Sequence, residues 1–280
     1  MKIFISADME GASGITSTKQ CSPKETTEYE RGRKFLTGDV NAAIRGALAA
    51  GATEVLVNDS HGPMTNILIE ELEEGARLIS GSNKPLLQMQ GVDGGFDAAF
   101  FVAYHAQEGS GGGLLNHTIM GSVVQEIRCN GEAVGETAIN AGIAGALGVP
   151  VVLLTGDAEV AREAGARIPG IETVIVKDSF DRHASNCIPP AQTRGMIEEG
   201  AKRALTGSRR VEPLKVDLPV VFEVTFRSTA SAGMACLFPS IKPAGDKTVE
   251  IVDGDYLAAF KKLWGALVLG WTAMGGALES

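Results

Sequence analysis

Three apolar runs in the first third of the chain each end on side chains able to hold a cation. Residues 2–7 (KIFISA) lead into Asp8 and Glu10, residues 54–58 (EVLVN) into Asp59 and His61, and residues 97–104 (DAAFFVAY) into His105. Short runs rich in Ile, Val and Phe are the content of buried strands. Between the first two runs, Tyr29, Phe35, Leu36, Val40, Ala43, Ile44 and Leu48 recur at helical spacing over residues 27–51. Strand, helix, strand in that order predicts a βαβ unit and a parallel sheet. Ligands of such sheets bind outside the C-terminal strand edges, so the three sets of side chains are expected to converge. Asp8 and Glu10 sit two apart in an extended backbone and leave it on one face. Two carboxylates held that close repel, and burying them is costly unless a cation or proton joins them. An isolated Asp-x-Glu is more often a solvated loop; the agreement among three strand ends is what points to a divalent metal, or a pair.

The rest of the chain continues the alternation. Thr37 and Gly38 predict an interruption of the first helix, with Thr37 as a cap. A short acidic helix over 66–75, a strand at 77–81 and a short helix at 85–89 precede the run at 97–104. The glycine-rich stretch 108–115 (EGSGGGLL) lacks a Gly-Lys-Ser/Thr ending, so it is read as a loop that sets His117 beside the site, not as a phosphate cradle. Asn130-Gly131 between 123–129 and 132–134 predicts a hairpin with a type I′ turn. Glu136 then stands at the start of a helix over 137–147, where a carboxylate is favoured. A strand at 150–155, a helix at 157–166, a strand at 173–177, a loop at 181–184 and a long helix at 189–205 follow. Beyond a polar, basic stretch at 206–213 come a strand at 219–226, a helix at 229–236, a strand at 248–252 and a helix at 255–274. The fold class is therefore α/β, a mainly parallel sheet with flanking helices plus a C-terminal α+β portion. We divide the chain into residues 1–205, an α/β metal-binding catalytic domain, and 206–280, packing on it and on neighbouring subunits.

Composition narrows the functional classes. A chain of 280 residues with 44% hydrophobic and 21% charged content is an ordinary globular protein. A net charge of −9 with no Lys/Arg run argues against a nucleic-acid partner. Cys21, Cys129, Cys187 and Cys236 lie far apart without C-x-x-C spacing, which reads as reduced thiols. The chain opens directly on a strand with no leader pattern, and Lys261 and Lys262 interrupt its most apolar late stretch. The expected location is cytoplasmic, with no membrane partner. Tyr256, Phe260, Trp264, Leu267 and Trp271 form a wide apolar face on the last helix, for core or subunit contact.

Three of the four histidines fall in the stretch assigned to one sheet edge. With Asp8, Glu10 and Glu136 they make three carboxylates and three imidazoles, a mixed N and O set that suits zinc better than calcium or magnesium. Two ions sharing a carboxylate would use five of the six groups and leave one for chemistry. Asp8-Met9-Glu10-Gly11, Tyr29-Glu30-Arg31-Gly32-Arg33, Val57-Asn58-Asp59-Ser60-His61 and Tyr104-His105-Ala106 resemble motifs of the M55 metallopeptidases, as do Asn116-His117-Thr118, Asn130-Gly131 and Val134-Gly135-Glu136. The resemblance spans essentially the whole chain and weakens after about Pro213. It implies two zinc ions per subunit held by Asp8, Glu10, His61, His105 and Glu136, with Asp8 bridging and His117 as nucleophile or base. It also implies a zinc-dependent aminopeptidase acting on short peptides with a free N-terminus, D-Ala-containing ones among them, in a ring-like homo-oligomer, a decamer. Acids near the mouth would hold the substrate's α-ammonium.

Two other functions fit the same residues. A dinuclear zinc amidase on amino-acid amides keeps the site and changes the bond. A metal-containing peptide-binding protein without turnover keeps the ligands but leaves His117 without a purpose. Asp59 is read as a turn cap or as orienting His61, His183 as a loop residue or subunit contact, and Glu30 with Arg33 as a helix-surface pair.

Overall fold

The computed structural model describes residues 1–208 and 210–276, and the predicted alternation forms a seven-stranded sheet in it. Strand β1 (Lys2–Ala7) is followed by helix α1 (Thr26–Ala49), then by β2 (Glu54–Asp59) and β3 (Ala76–Ile79), both parallel to it. The chain then crosses back to set β4 (Ala98–Tyr104) on the other side of β1. A hairpin of β5 (Val124–Cys129) and β6 (Glu132–Ala133) intervenes before α2 (Glu136–Ala146). Next come β7 (Val151–Asp157), α3 (Ala158–Arg167), β8 (Glu172–Asp181), β9 (Ala184–Cys187) and α4 (Pro190–Thr206). The sheet runs β3-β2-β1-β4-β7-β8-β9, parallel except for the last pair. Its growth reverses between β1 and β4, and the crevice at such a reversal is where open α/β sheets take ligands. Right-handed crossovers put α1, which steps one way along the sheet, and α3, which steps the other, on opposite faces.

The remaining strands, β10 (Val220–Phe226), β11 (Ile241–Pro243) and β12 (Thr248–Asp253), join the hairpin in a second, antiparallel sheet ordered β11-β12-β10-β5-β6. Helices α5 (Thr229–Ala235) and α6 (Tyr256–Trp271) pack on each other and on this sheet. On β10, Val220, Phe222, Val224 and Phe226 are buried while alternate residues are half-exposed, the period-two pattern of a sheet covered on one face. Tyr256 ties the two sheets together: its hydroxyl donates to the Ile139 carbonyl of α2 at 3.0 Å and packs directly on Gly142. Of the apolar face predicted on α6, Tyr256, Phe260 and Leu267 are buried, whereas Trp271 is exposed.

Some elements differ from the sequence reading. Helix α1 is continuous through Thr37 and Gly38. Thr37 is buried and its hydroxyl accepts the Leu68 amide at 3.0 Å, so it caps nothing in its own helix. A side chain at Gly46 would meet the backbone of α4, so a glycine that costs about 1 kcal/mol of helix propensity is offset by close helix packing. The stretch 66–75 holds only a short 3-10 turn, Ile69–Glu71. Residues 181–184 are the tight turn of a β8–β9 hairpin, and β9 and the three-residue β11 are short edge strands that carry little sequence signal. Residue 209, within the polar stretch 206–213, and residues 277–280 lie outside the described residues. Among the described residues, no helix is long and apolar enough to cross a membrane.

Candidate metal centre

The site grows from the end of β1. The Asp8 amide donates to the Val102 carbonyl and the Gly11 amide to the Ala103 carbonyl, each at 2.9 Å, so the turn after β1 is laid along the end of β4. Gly11 packs flat on the Tyr104 carbonyl, a contact no side chain permits. Ala103 is in the left-handed region (φ 61°), where β4 shifts register against β7, and its amide donates to Thr155 Oγ1 at 2.8 Å. That local distortion sets where Tyr104 ends and His105 begins. Behind the turn, the ammonium of Lys177 on β8 is fully buried and donates to the carbonyls of Glu10, Ala12 and Ile15 at 2.6, 2.9 and 2.8 Å.

The six side chains singled out in the sequence converge, and each imidazole is anchored the same way. His61 Nε2–H donates to the Cys21 carbonyl at 2.9 Å, His105 Nδ1–H to Ala106 at 2.9 Å, and His117 Nδ1–H to Leu115 at 3.0 Å. A carbonyl only accepts, so those nitrogens carry the proton, and the other nitrogen of each ring is left to face the acids. His61 Nδ1 lies 3.3 Å from Asp8 Oδ1 and 2.9 Å from Glu10 Oε2. His105 Nε2 lies 3.3 Å from both Asp8 Oδ2 and Glu136 Oε1. His117 Nε2 is 3.8 Å from Glu136 Oε1 and 4.0 Å from Glu10 Oε1, with its ring stacked on His105 at 4.1 Å between centroids. Asp8, Glu10, His105 and Glu136 are buried. Asp8 Oδ2, Glu10 Oε2 and His105 Nε2 have no hydrogen-bond partner among the described residues. Lone pairs that face carboxylate oxygens repel, so the arrangement needs positive charge between them, from protons or metal ions.

The electrostatics follow from that demand. Burial works against a charged Glu10, but His61 and then His117 and His105 outweigh it and hold the carboxyl well below its usual range. Burial likewise opposes ionisation of Glu136, and His105 foremost brings it down to about 2. Burial also disfavours imidazolium, yet Glu10 and Asp8 raise His61, and Glu136 and Asp8 raise His105, well above the ordinary histidine value. Two sets of donors approach within 4.8 Å of one another: Asp8, Glu10 and His105, and His105, His117 and Glu136. Asp8 presents Oδ1 to His61 and Oδ2 to His105, so one carboxylate faces both halves of the cluster. These N and O donors fit zinc in kind and number.

Several supporting residues carry no motif signal. Glu136, the first residue of α2, accepts the Ile119 amide at 2.6 Å on Oε1 and the Gln88 amide on Oε2. Gln88 is held by Asn140, one helical turn past Glu136, and Asn140 also donates to Tyr104 at 3.0 Å. Asn140 was open to detection by its spacing from Glu136, and Lys177 as a lysine inside an apolar run; Gln88 was not. Asp59 holds the turn after β2 by accepting the Asn66 and Ile67 amides, while Asn66 Nδ2 donates to the His61 carbonyl at 2.6 Å. Tyr29 and Arg33 both bond to Asn66, so that helix motif supports the His61 turn, and Arg33 also pairs with Glu30. His183 is exposed on the β8–β9 turn.

Residues 1–264 match the profile of a family described as peptidase M55, D-aminopeptidase. A D-aminopeptidase of Bacillus subtilis (strain 168) is 36% identical over 264 residues, which are 94% of this chain and 95% of the relative. The solved structure of the Zn-dependent D-aminopeptidase DppA from Bacillus subtilis, described as a self-compartmentalizing protease, is 35% identical and superposes with a TM-score of 0.93 over 99% of this chain and 100% of that one.

Proposed function

The chain belongs to the M55 family of D-aminopeptidases, and from that premise we propose that it is a zinc-dependent aminopeptidase hydrolysing short peptides with a free N-terminus, D-Ala-containing ones in particular. One observation carries the reading: each of three imidazoles is pinned to a carbonyl through one nitrogen and turns the other toward buried carboxylates. Asp8, Glu10, His61, His105 and Glu136 would hold two zinc ions per subunit, with the Asp8 carboxylate shared between them. Zinc, when bound, supplies Lewis acidity toward the scissile carbonyl and toward water.

The chain's own residues do the rest. Glu10 and Glu136 reach the site ionised, so they hold metal without first losing a proton. His117 Nε2 keeps its lone pair because Nδ1 holds the proton against Leu115, which suits it to take a proton from the attacking water and return it to the leaving amine. Attack by the same nitrogen on the carbonyl is the nucleophilic version of that role. Its stacking on His105 limits the ring to one orientation. We further propose a homo-oligomer, decameric by family resemblance, with residues 206–280 packing on the catalytic portion and on neighbouring subunits, in the cytoplasm.

Metal content measured beside hydrolysis of D-Ala-D-Ala, L-Ala-L-Ala and D-Ala-amide tests the reading. Two zinc per subunit with chelator-sensitive D-peptide cleavage supports it. Amide cleavage alone moves the chain to an amidase, and uptake of no metal on reconstitution overturns the mechanism.

A further inference from the structure

The Asp181-Arg182-His183 turn lies outside the metal cluster, yet it touches the segment that carries His117. That segment is held in an unfavourable conformation. Leu115 (φ 50°) and Ile119 (φ 58°), two residues either side of His117, both occupy the left-handed region that suits glycine. Non-glycine residues persist there only where surrounding contacts over-determine the backbone. Those contacts can be traced. The Leu115 amide donates to the Arg182 carbonyl at 2.9 Å, and the Arg182 guanidinium donates through Nη1 to both the carbonyl and the side-chain oxygen of Asn116. Asn116 in turn donates to Ser110 and Gly113 at 2.6 and 3.0 Å. At the far end, Arg227 Nε donates to the Gly121 carbonyl at 2.7 Å, and Glu108 joins the two arginines, 2.8 Å from Arg227 and 3.8 Å from Arg182.

The order of these bonds matters. His117 Nδ1–H is oriented by the Leu115 carbonyl, and the peptide that bears this carbonyl runs between Leu115 and Asn116, the two residues Arg182 grips. We infer that Arg182 is a positioning residue for the reaction, which fixes the Leu115–Asn116 peptide and through it the tautomer and direction of His117. The inference rests on the reading of His117 as base or nucleophile. Arg182 contacts none of the six clustered side chains in the hydrogen bonds and ion pairs of the structure, so its effect is on the rate with bound metal unchanged. A guanidinium is suited to the task because its terminal nitrogen Nη1 carries two hydrogens, one for each Asn116 oxygen.

The test measures zinc content, kcat and KM on D-Ala-D-Ala for Arg182→Ala, Arg182→Lys, His117→Ala and the Arg182→Ala/His117→Ala double variant. Arg182→Ala is expected to keep its zinc and its KM within about twofold and to lose on the order of 10²-fold in kcat, the scale of a misplaced reacting group. Arg182→Lys recovers part of the loss through one of the two oxygens. With His117 already removed, Arg182→Ala changes the residual rate no further, as expected of residues acting as one unit. An equal loss in both backgrounds, or loss of zinc from Arg182→Ala, overturns the inference and leaves the reading of His117 intact. A His117→Ala enzyme with unchanged kcat overturns both.

Discussion

Beside the helix start that carries Glu136, the cluster draws on strand ends and on an irregular loop, and these hold their side chains differently. Asp8, Glu10 and His105 leave the ends of adjacent parallel strands, where the Asp8 and Gly11 amides continue the ladder onto β4. His117 sits in an irregular segment with two left-handed residues, kept in place by side-chain hydrogen bonds. A sheet edge fixes positions through many cooperative bonds; the loop depends on a few individual ones. The strand half is thus held in a constant geometry. The loop half can be perturbed without disturbing that geometry. Changes in the first should remove metal, and changes in the second should slow turnover with metal retained.

The largest effect that bears on this contrast is expected from Asp8→Ala. Asp8 faces both His61 and His105, so its loss uncouples both halves of the cluster. Bound zinc should fall below one per subunit by metal analysis, and activity by on the order of 10⁴-fold, comparable to removing a principal catalytic group. His117→Ala supplies the opposite pole, with full zinc and a rate lower by about 10²–10⁴-fold. Equal zinc loss in the two variants would erase the distinction and make His117 a sixth ligand, as its closeness to His105 and Glu136 allows.

Gln88→Leu should have a smaller effect on metal. It removes the donor to Glu136 Oε2 and leaves the Asn140 amide one of its two acceptors, Tyr104, in a buried network. Loss of such a supporting hydrogen bond costs about 10–100-fold in metal affinity, measurable by competition with a chromophoric chelator. Unchanged affinity would mean that the α2 helix start and the Ile119 amide suffice to orient Glu136.

These supporting residues also mark where sequence reading stops. Asp8, Glu10, His61 and His105 were legible because strands announce themselves by apolar content, and a parallel sheet fixes which ends meet. Glu136 was legible from the Asn130-Gly131 turn, and Asn130 and Gly131 both take the positive φ that a type I′ turn requires. Gln88 and Arg182 act through contacts 48 and 66 residues away along the chain, which no local pattern encodes; Lys177 stands out as a lysine in an apolar run, but its partners lie 162–167 residues away. The continuous α1 teaches the same lesson: Thr37 and Gly38 look like a break until Leu68 and α4 are placed against them. Short edges such as β9 and β11 escape because their pairing comes from their neighbours.

A milder test uses pH on metal-free protein. Glu10 and Glu136 have folded-state values below the 4.5 of the free side chain. The stability they contribute is present above about that pH and is lost as pH falls toward 2. His61 and His105 have folded-state values above 6.5, so their contribution is complete below that pH and is lost as pH rises through the raised values. Metal-free protein should therefore melt highest between these limits. Zinc requires neutral imidazoles, so the rise in Tm on adding it should grow with pH across the same range. A zinc shift independent of pH would remove the histidines from the metal site.

The smallest effect is expected in the loop, from Ile119→Gly. Ile119 is half-buried with φ at 58°, a conformation that costs a β-branched residue about 1–3 kcal/mol and glycine nothing. Glycine therefore relieves strain, but it gives up the partial packing of the isoleucine and gains freedom in the unfolded chain, about 1 kcal/mol against folding. The opposing contributions leave stability within about 1 kcal/mol of the parent. Turnover should still fall several-fold, since the Ile119 amide is the link between the His117 segment and Glu136 Oε1, and a glycine there holds it less firmly. Because Glu136 keeps its bond to Gln88, zinc affinity should change little. Measuring kcat, zinc affinity and Tm on this one variant separates the two halves of the site. A slower enzyme with unchanged metal and melting places the sensitivity in the loop. A parallel fall in zinc affinity would mean that the loop and the strand ends form one rigid unit.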